Sequence, residues 1–208
     1  MRSPLTETRD RLVEVSAALL QRQGLTGTGI KQILAEAGAP YSSLYHHFPG
    51  GKEELAATAI RASGARYQAL VEAVWDQAPD VISAVAAIFE GAALALQSSD
   101  FAVACPVATV ALEVANTNER LRQTTAEVFD AWIAAGAARF ELAGISPGEA
   151  RTMALIVIAL LEGAFILSQS SKDLEAVHAA GAAAVAVAHR ALALSSTTPG
   201  TRRRTTHE

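Results

Sequence analysis

Between Tyr41 and His47 the chain places six side chains with hydrogen-bonding tips: Tyr41, Ser42, Ser43, Tyr45, His46 and His47. Leu44 and Phe48 lie four residues apart and supply one apolar stripe for a helix there. Burying that stripe turns the six polar tips outward. Hydroxyl and imidazole groups both donate and accept, and a dense row of them matches what base edges in a DNA major groove present. The segment before it fits such a use. Ile30, Ile33 and Leu34 stand at helical spacing, Gly38 follows Ala37 where a helix must stop in a left-handed conformation, and Pro40 suits the first turn of a new helix. The pattern predicts two short helices around a tight turn. The competing reading is a solvated polar helix in a helical enzyme or scaffold.

Other chemistry is poorly supplied. His46 and His47 point to different faces of one helix, and His178 and His189 are eleven residues apart with no carboxylate or thiol cluster, so no metal site is expected. No cofactor is implied. There is no glycine-rich phosphate loop, nucleophile elbow or paired-carboxylate motif, and no catalytic residue is assigned. Cys105 stands where a helix is predicted to start, which lowers a thiol pKa, but its apolar neighbours favour an inert buried thiol. Glu162 interrupts an apolar run. It is either a satisfied buried carboxylate or a pocket group for a ligand's hydroxyl or cation. Trp75, Phe89, Phe101, Phe129, Trp132, Phe140 and Phe165 are spread through the body. They are ordinary core, or they line a cavity left among Ala, Val and Leu.

The elements that must position these groups are helices. Half of the 208 residues are hydrophobic but only 5% aromatic, and alanine dominates the second half. That composition favours helices over strands. A first helix is expected from Ser3-Pro4 to Gln23, stopped by Gly24. After the two short helices, a long one runs from Lys52 to Gln77, and others from Pro79-Asp80 to Leu96, from Cys105-Pro106 to near Asn116, and from Asn118 to Gly144. Ser146-Pro147-Gly148-Glu149 reads as a capping box opening a helix to Ser170-Ser171, and the last helix spans Asp173 to Leu194. The expected fold class is all-α with about nine helices: a helix-turn-helix head over 1–51, a body over 52–194 and a disordered basic tail over 195–208. Met153–Leu167 is too short, and too interrupted by Glu162, for a membrane span of about 20 residues; no membrane partner is expected. Met1–Gln23 is a charged amphipathic segment with no signal-peptide pattern, which together with one cysteine favours the cytoplasm. The net charge of −4 is uneven: zero over 1–55, −6 over 56–194 and +2 over 195–208. The head is therefore the part best suited to approach phosphate.

The segment from Thr6 to Leu55 resembles the DNA-binding head of the TetR family of bacterial transcriptional repressors. The resemblance is carried by Gly24, Thr28, Ile30, Ile33, Ala37-Gly38, Leu44-Tyr45, His47-Phe48 and Lys52-Glu53-Glu54-Leu55. It departs from the family at Gly29, Pro40 and Ser42, and in one extra residue before Lys52. Pro49-Gly50-Gly51 and Cys105-Pro106-Val107 are similar to the branch of lincomycin-resistance and flavonoid-responsive repressors. The resemblance implies phosphate contacts from Tyr45, His47 and Lys52, and base reading by Tyr41, Ser42, Ser43 and His46 with Lys31 reaching from the preceding helix. Lys52 at a helix N-terminus and Thr28 at the start of another suit phosphate on physical grounds as well. The resemblance further implies a small-molecule effector bound in the body, and Trp75, Phe89, Phe101, Cys105, Phe129, Trp132, Glu162 and Phe165 are the expected pocket. Few charges are expected inside it, so a flat, largely apolar molecule with a few hydroxyls is the expected ligand. Helices 147–170 and 173–194 are apolar or small on too many faces for a monomer, which predicts a homodimer through them. The alternatives are a helical enzyme or carrier, or a structural protein that binds double-stranded DNA without sequence preference.

Overall fold

Apolar residues at helical spacing, broken by Gly, Pro and Asn or Asp caps, produce nine helices and no strand among the described residues. The computed structural model describes residues 4–102 and 105–197. The helices are α1 (Pro4–Gly27), α2 (Ile30–Glu36), α3 (Tyr41–His47), α4 (Gly51–Gln77), α5 (Val81–Ser98), α6 (Ala108–Val114), α7 (Glu119–Leu142), α8 (Pro147–Ser171) and α9 (Glu175–Thr197). The expected basic tail begins inside α9 for Ser195–Thr197; its remainder, 198–208, lies outside the described residues.

In the head, Leu12, Leu19 and Leu20 of α1 pack with Ile33 and Leu34 of α2 and Leu44 and Phe48 of α3, all buried. The first helix does not stop at Gly24 as expected. The chain passes through Gly24 with φ 69° and ψ −174°, then helical turns resume to Gly27. A β-carbon on Gly24 would sit 1.7 Å from a Glu113 carboxylate oxygen, so both the conformation and the space require glycine.

In the body, small residues let helix axes approach. The position of a β-carbon on Gly64 of α4 lies 2.4 Å from Val128 of α7, and the Trp132 indole N–H donates to the Gly64 carbonyl at 3.0 Å. Gly136 of α7 faces Ala154 of α8, and Gly181 of α9 faces Phe89 of α5. Two helix starts differ from expectation. The α6 helix begins at Ala108, because the Cys105–Val107 stretch acts as its cap: the Ala108 N–H reaches the Cys105 sulfur at 3.4 Å. At α8, the Ser146 hydroxyl donates to the Glu149 carboxylate at 2.8 Å and caps no backbone N–H, leaving Pro147 as the start signal.

By length and composition α5, α8 and Glu175–Ser195 of α9 are each apolar enough to cross a membrane, where the sequence reading singled out Met153–Leu167 alone. In this fold their buried stripes pack on one another, with Phe89, Leu96, Phe165, Val177 and Ala184 in one core. Ile166, Leu167 and Leu194 stay exposed on α8 and α9.

Candidate nucleic-acid interface and ligand cavity

The turn between α2 and α3 is built as its residues dictate. Gly38 adopts φ 58°, the Ala39 N–H returns to the Leu34 carbonyl at 3.0 Å, and Pro40 is extended before α3. Arg11 of α1 donates to the Ala37 carbonyl at 3.2 Å and so fixes the end of α2. With Leu44 and Phe48 each 1% exposed, the opposite face of α3 is held outward. Tyr41 is 58% and Tyr45 47% exposed. Ser42, His46 and Lys31 are exposed, and Ser43 and His47 half-buried. The Tyr41 and Tyr45 rings lie 5.7 Å apart, and hydrogen bonding to Tyr41 raises the Tyr45 phenol above its ordinary pKa. Burial first, then the charges of His46 and Arg9, lower the His47 pKa and so favour the neutral imidazole.

Two expected phosphate groups are used differently. Thr28 is buried; its hydroxyl donates to the Gly24 carbonyl at 2.6 Å and its N–H to the Leu25 carbonyl at 3.3 Å. It closes the α1–α2 connection and does not face outward, because the chain must be pinned where Gly24 breaks the helix. Lys52 is half-buried and its ammonium donates to the Leu25 carbonyl at 2.8 Å. Burial lowers its pKa, and the Glu113 carboxylate pulls the other way.

Glu113 of α6 makes a contact between body and head that sequence reading missed. Its carboxylate accepts the Leu25 N–H at 2.9 Å, the Thr26 N–H at 2.8 Å and the Thr26 hydroxyl at 2.7 Å. The kink at Gly24 frees those N–H groups, and a body carboxylate takes them. Partial burial pushes the Glu113 pKa up, but Thr26, Leu25 and the Lys52 charge outweigh it and hold it below the ordinary value. Only the 87–88 residue separation hid this contact, which fastens α6 to the head.

A second site lies in the body. Helices α4, α7 and α8, with Ile88 of α5, surround a cavity of about 680 Å³ including its open mouth. Of the expected pocket residues it brings together Trp75, Trp132 and Glu162. Phe89 is instead buried against Gly181, Phe165 lies in the core, Phe129 stacks edge-on with Trp132, and Phe101 sits under the Lys172 ammonium. Cys105 is not a wall of the cavity but hydrogen-bonds Glu162, which is. Burial, then the Glu162 charge, raises the thiol pKa well above its ordinary value, which agrees with an inert cysteine. Phe140, one of the rings weighed as core or cavity wall, lines it as well, and Tyr67, Val71, Glu72 and Arg139 line it without having been foreseen as pocket residues. The signal was present, since Tyr67, Val71 and Trp75 recur every four residues on α4, as do Trp132, Gly136 and Phe140 on α7.

A helix-turn-helix head with an outward polar face, joined to a helical body with its own cavity, defines a one-component DNA-binding regulator. Comparison with known proteins agrees. Residues 12–59 match the family model described as bacterial regulatory proteins, tetR family, and residues 81–183 match that of the transcriptional regulator LmrA/YxaF-like C-terminal domain. The chain is 32% identical over 167 residues to the Bacillus subtilis (strain 168) HTH-type transcriptional regulator YxaF, covering 80% of this chain and 87% of that protein. It is 29% identical over 167 residues to LmrA of the same organism, covering 80% and 89%. Among solved structures, a TetR-family regulator from Cytophaga hutchinsonii superposes with a TM-score of 0.79 at 19% identity, over 92% of this chain and 98% of that one. The chain belongs to the TetR family of bacterial transcriptional regulators, with an LmrA/YxaF-like C-terminal domain.

Proposed function

We propose that the protein is a homodimeric repressor that holds a palindromic operator through two copies of α3 and releases it when a small, largely apolar molecule enters the α4–α7–α8 cavity. The observation that carries this reading is the pairing of an exposed Tyr–Ser–His face on α3 with an aromatic cavity on α4, the helix that runs on from the head. Tyr41, Ser42, Ser43 and His46, with Lys31, read bases; Tyr45 and His47 hold phosphate. Lys52 contributes chiefly by fixing Leu25, and through the protons its ammonium has left. The head comprises 1–51 and the effector and dimer body 52–194. Exposed Ile166, Leu167 and Leu194 on α8 and α9 support pairing through these helices. The protein acts in the cytoplasm, where its operator is, and carries out no catalysis.

The test is retention of duplex DNA from immediately upstream of the protein's own gene, in the presence of a hundredfold excess of unrelated duplex. Specific retention of an imperfect palindrome supports the reading. Equal displacement by any duplex would favour a structural DNA-binding protein, and no retention at low salt would favour a carrier or enzyme built on the body.

A further inference from the structure

We infer that the cavity selects a positively charged aromatic ligand, its cation seated between the Glu162 carboxylate and the rings of Tyr67, Trp75 and Trp132. This rests on the cavity being the effector site. The charges around it are one-sided. Glu162 faces it from α8 and Glu72 from α4, while the one guanidinium on its wall, Arg139 of α7, is already paired with Asp76 at 2.6 Å. Glu72 accepts from the Gln68 amide at 2.8 Å and belongs to the rim. Among the described residues Glu162 has only the Cys105 thiol as a hydrogen-bond partner, and an S–H is a weak donor. A carboxylate so poorly compensated in an apolar wall disfavours its own charge, and burial raises its pKa accordingly. A ligand cation removes that cost, whereas a neutral ring leaves it in place and a neutral hydroxyl relieves only part of it. The walls add to the selection. Tyr67, Trp75, Trp132 and Phe140 all line the cavity, with Tyr67 and Trp132 5.3 Å apart and Trp75 edge-on to Phe140 at 5.5 Å, and an aromatic ring attracts a cation placed over its face within about 6 Å.

Three probes of one shape separate the possibilities by calorimetry on the full chain without DNA: N-methylquinolinium, the neutral 1-methylnaphthalene and the neutral hydroxyl donor 1-naphthol. The expected result is at least tenfold tighter binding of N-methylquinolinium than of either neutral probe. In Glu162→Gln that advantage over 1-methylnaphthalene shrinks at least tenfold, with 1-methylnaphthalene itself changed less than twofold. The wild-type ranking needs no variant, so it stands even if the substitution disturbs folding. Equal or tighter binding of 1-methylnaphthalene or 1-naphthol would overturn the inference and leave the cavity as a neutral-ligand site. A cation preference that survives in Glu162→Gln would also overturn it. If no probe binds at millimolar concentration and tryptophan fluorescence is unmoved, the effector-site reading falls together with it.

Discussion

At the scale of single residues, the proposed base readers differ from Thr28 and Lys52 in whether their polar tips are already occupied within the head. His46 is free to present an imidazole, whereas the Thr28 hydroxyl and the Lys52 ammonium are already engaged on the Gly24 and Leu25 carbonyls. His46→Ala should therefore relax preference at one base position per half-site by about 1–3 kcal/mol of discrimination, measured by competition among operator variants. Lys52→Met should behave differently. It leaves the Leu25 carbonyl short of a partner, costs about 1 kcal/mol of stability, and reduces the log–log salt slope of operator binding by less than the two units expected if each head lost a full phosphate contact. A drop of two units or more would return Lys52 to the phosphate-binding set. Gly24 gives the sharper case. Gly24→Ala imposes a backbone strain of about 1–3 kcal/mol at φ 69° and ψ −174° and drives a methyl into Glu113. A fall in melting temperature of at least several degrees is expected, because 1 kcal/mol moves a chain of this size by about 2–4 °C; an unchanged Tm would refute the assigned backbone.

At the scale of elements, most helices were legible because their signals are local. Gly38, Pro40, Asp80, Asn118 and Pro147 each act within one turn, and Asp80 and Asn118 cap α5 and α7 through side-chain bonds to Ser83 and Leu121. The expected stop at Gly24 failed because of a distant partner. The kink at Gly24 keeps a further turn because a carboxylate from α6 accepts the freed N–H groups, and no local rule predicts a cap 88 residues away. The same latch makes a pH prediction. The folded Glu113 pKa lies below its unfolded value, so the stabilisation is fully present above the ordinary glutamate range and is lost as pH falls through the folded pKa. Hydrogen exchange, corrected for intrinsic rates, should show the Leu25 and Thr26 amides protected at pH 7 and released on acidification before the core of α4. In Glu113→Ala they should be unprotected at both. Protection that is independent of pH and of Glu113 would mean that the head is held to the body by packing alone.

At the scale of the whole molecule, the cavity and the proposed dimer surface differ in how far the sequence could reach. The body's aromatics were visible as candidates, but which of them share a cavity depends on helix rotation, and five of the seven expected rings and thiol do not line it: Phe89, Phe101, Phe129, Phe165 and Cys105. The apolar excess of α8 and α9 needed no such knowledge, since Ile166 and Leu167 remain exposed after the monomer has folded. Leu167→Glu should yield a folded monomer by sedimentation at micromolar concentration, with helical content kept and operator affinity lost, because one head alone cannot span two half-sites about 34–36 Å apart. The coupling between sites then has a fixed size. If a ligand weakens operator binding a hundredfold, it must favour the released state by about 2.7 kcal/mol, and operator must weaken that ligand by the same factor. Titrating ligand into free and operator-bound protein, with Trp75 and Trp132 as reporters, measures both arms of that cycle. Matching factors in wild type that shrink together in Glu113→Ala would place α6 on the route from cavity to head. Matching factors that survive the substitution would leave α4 to carry the coupling alone.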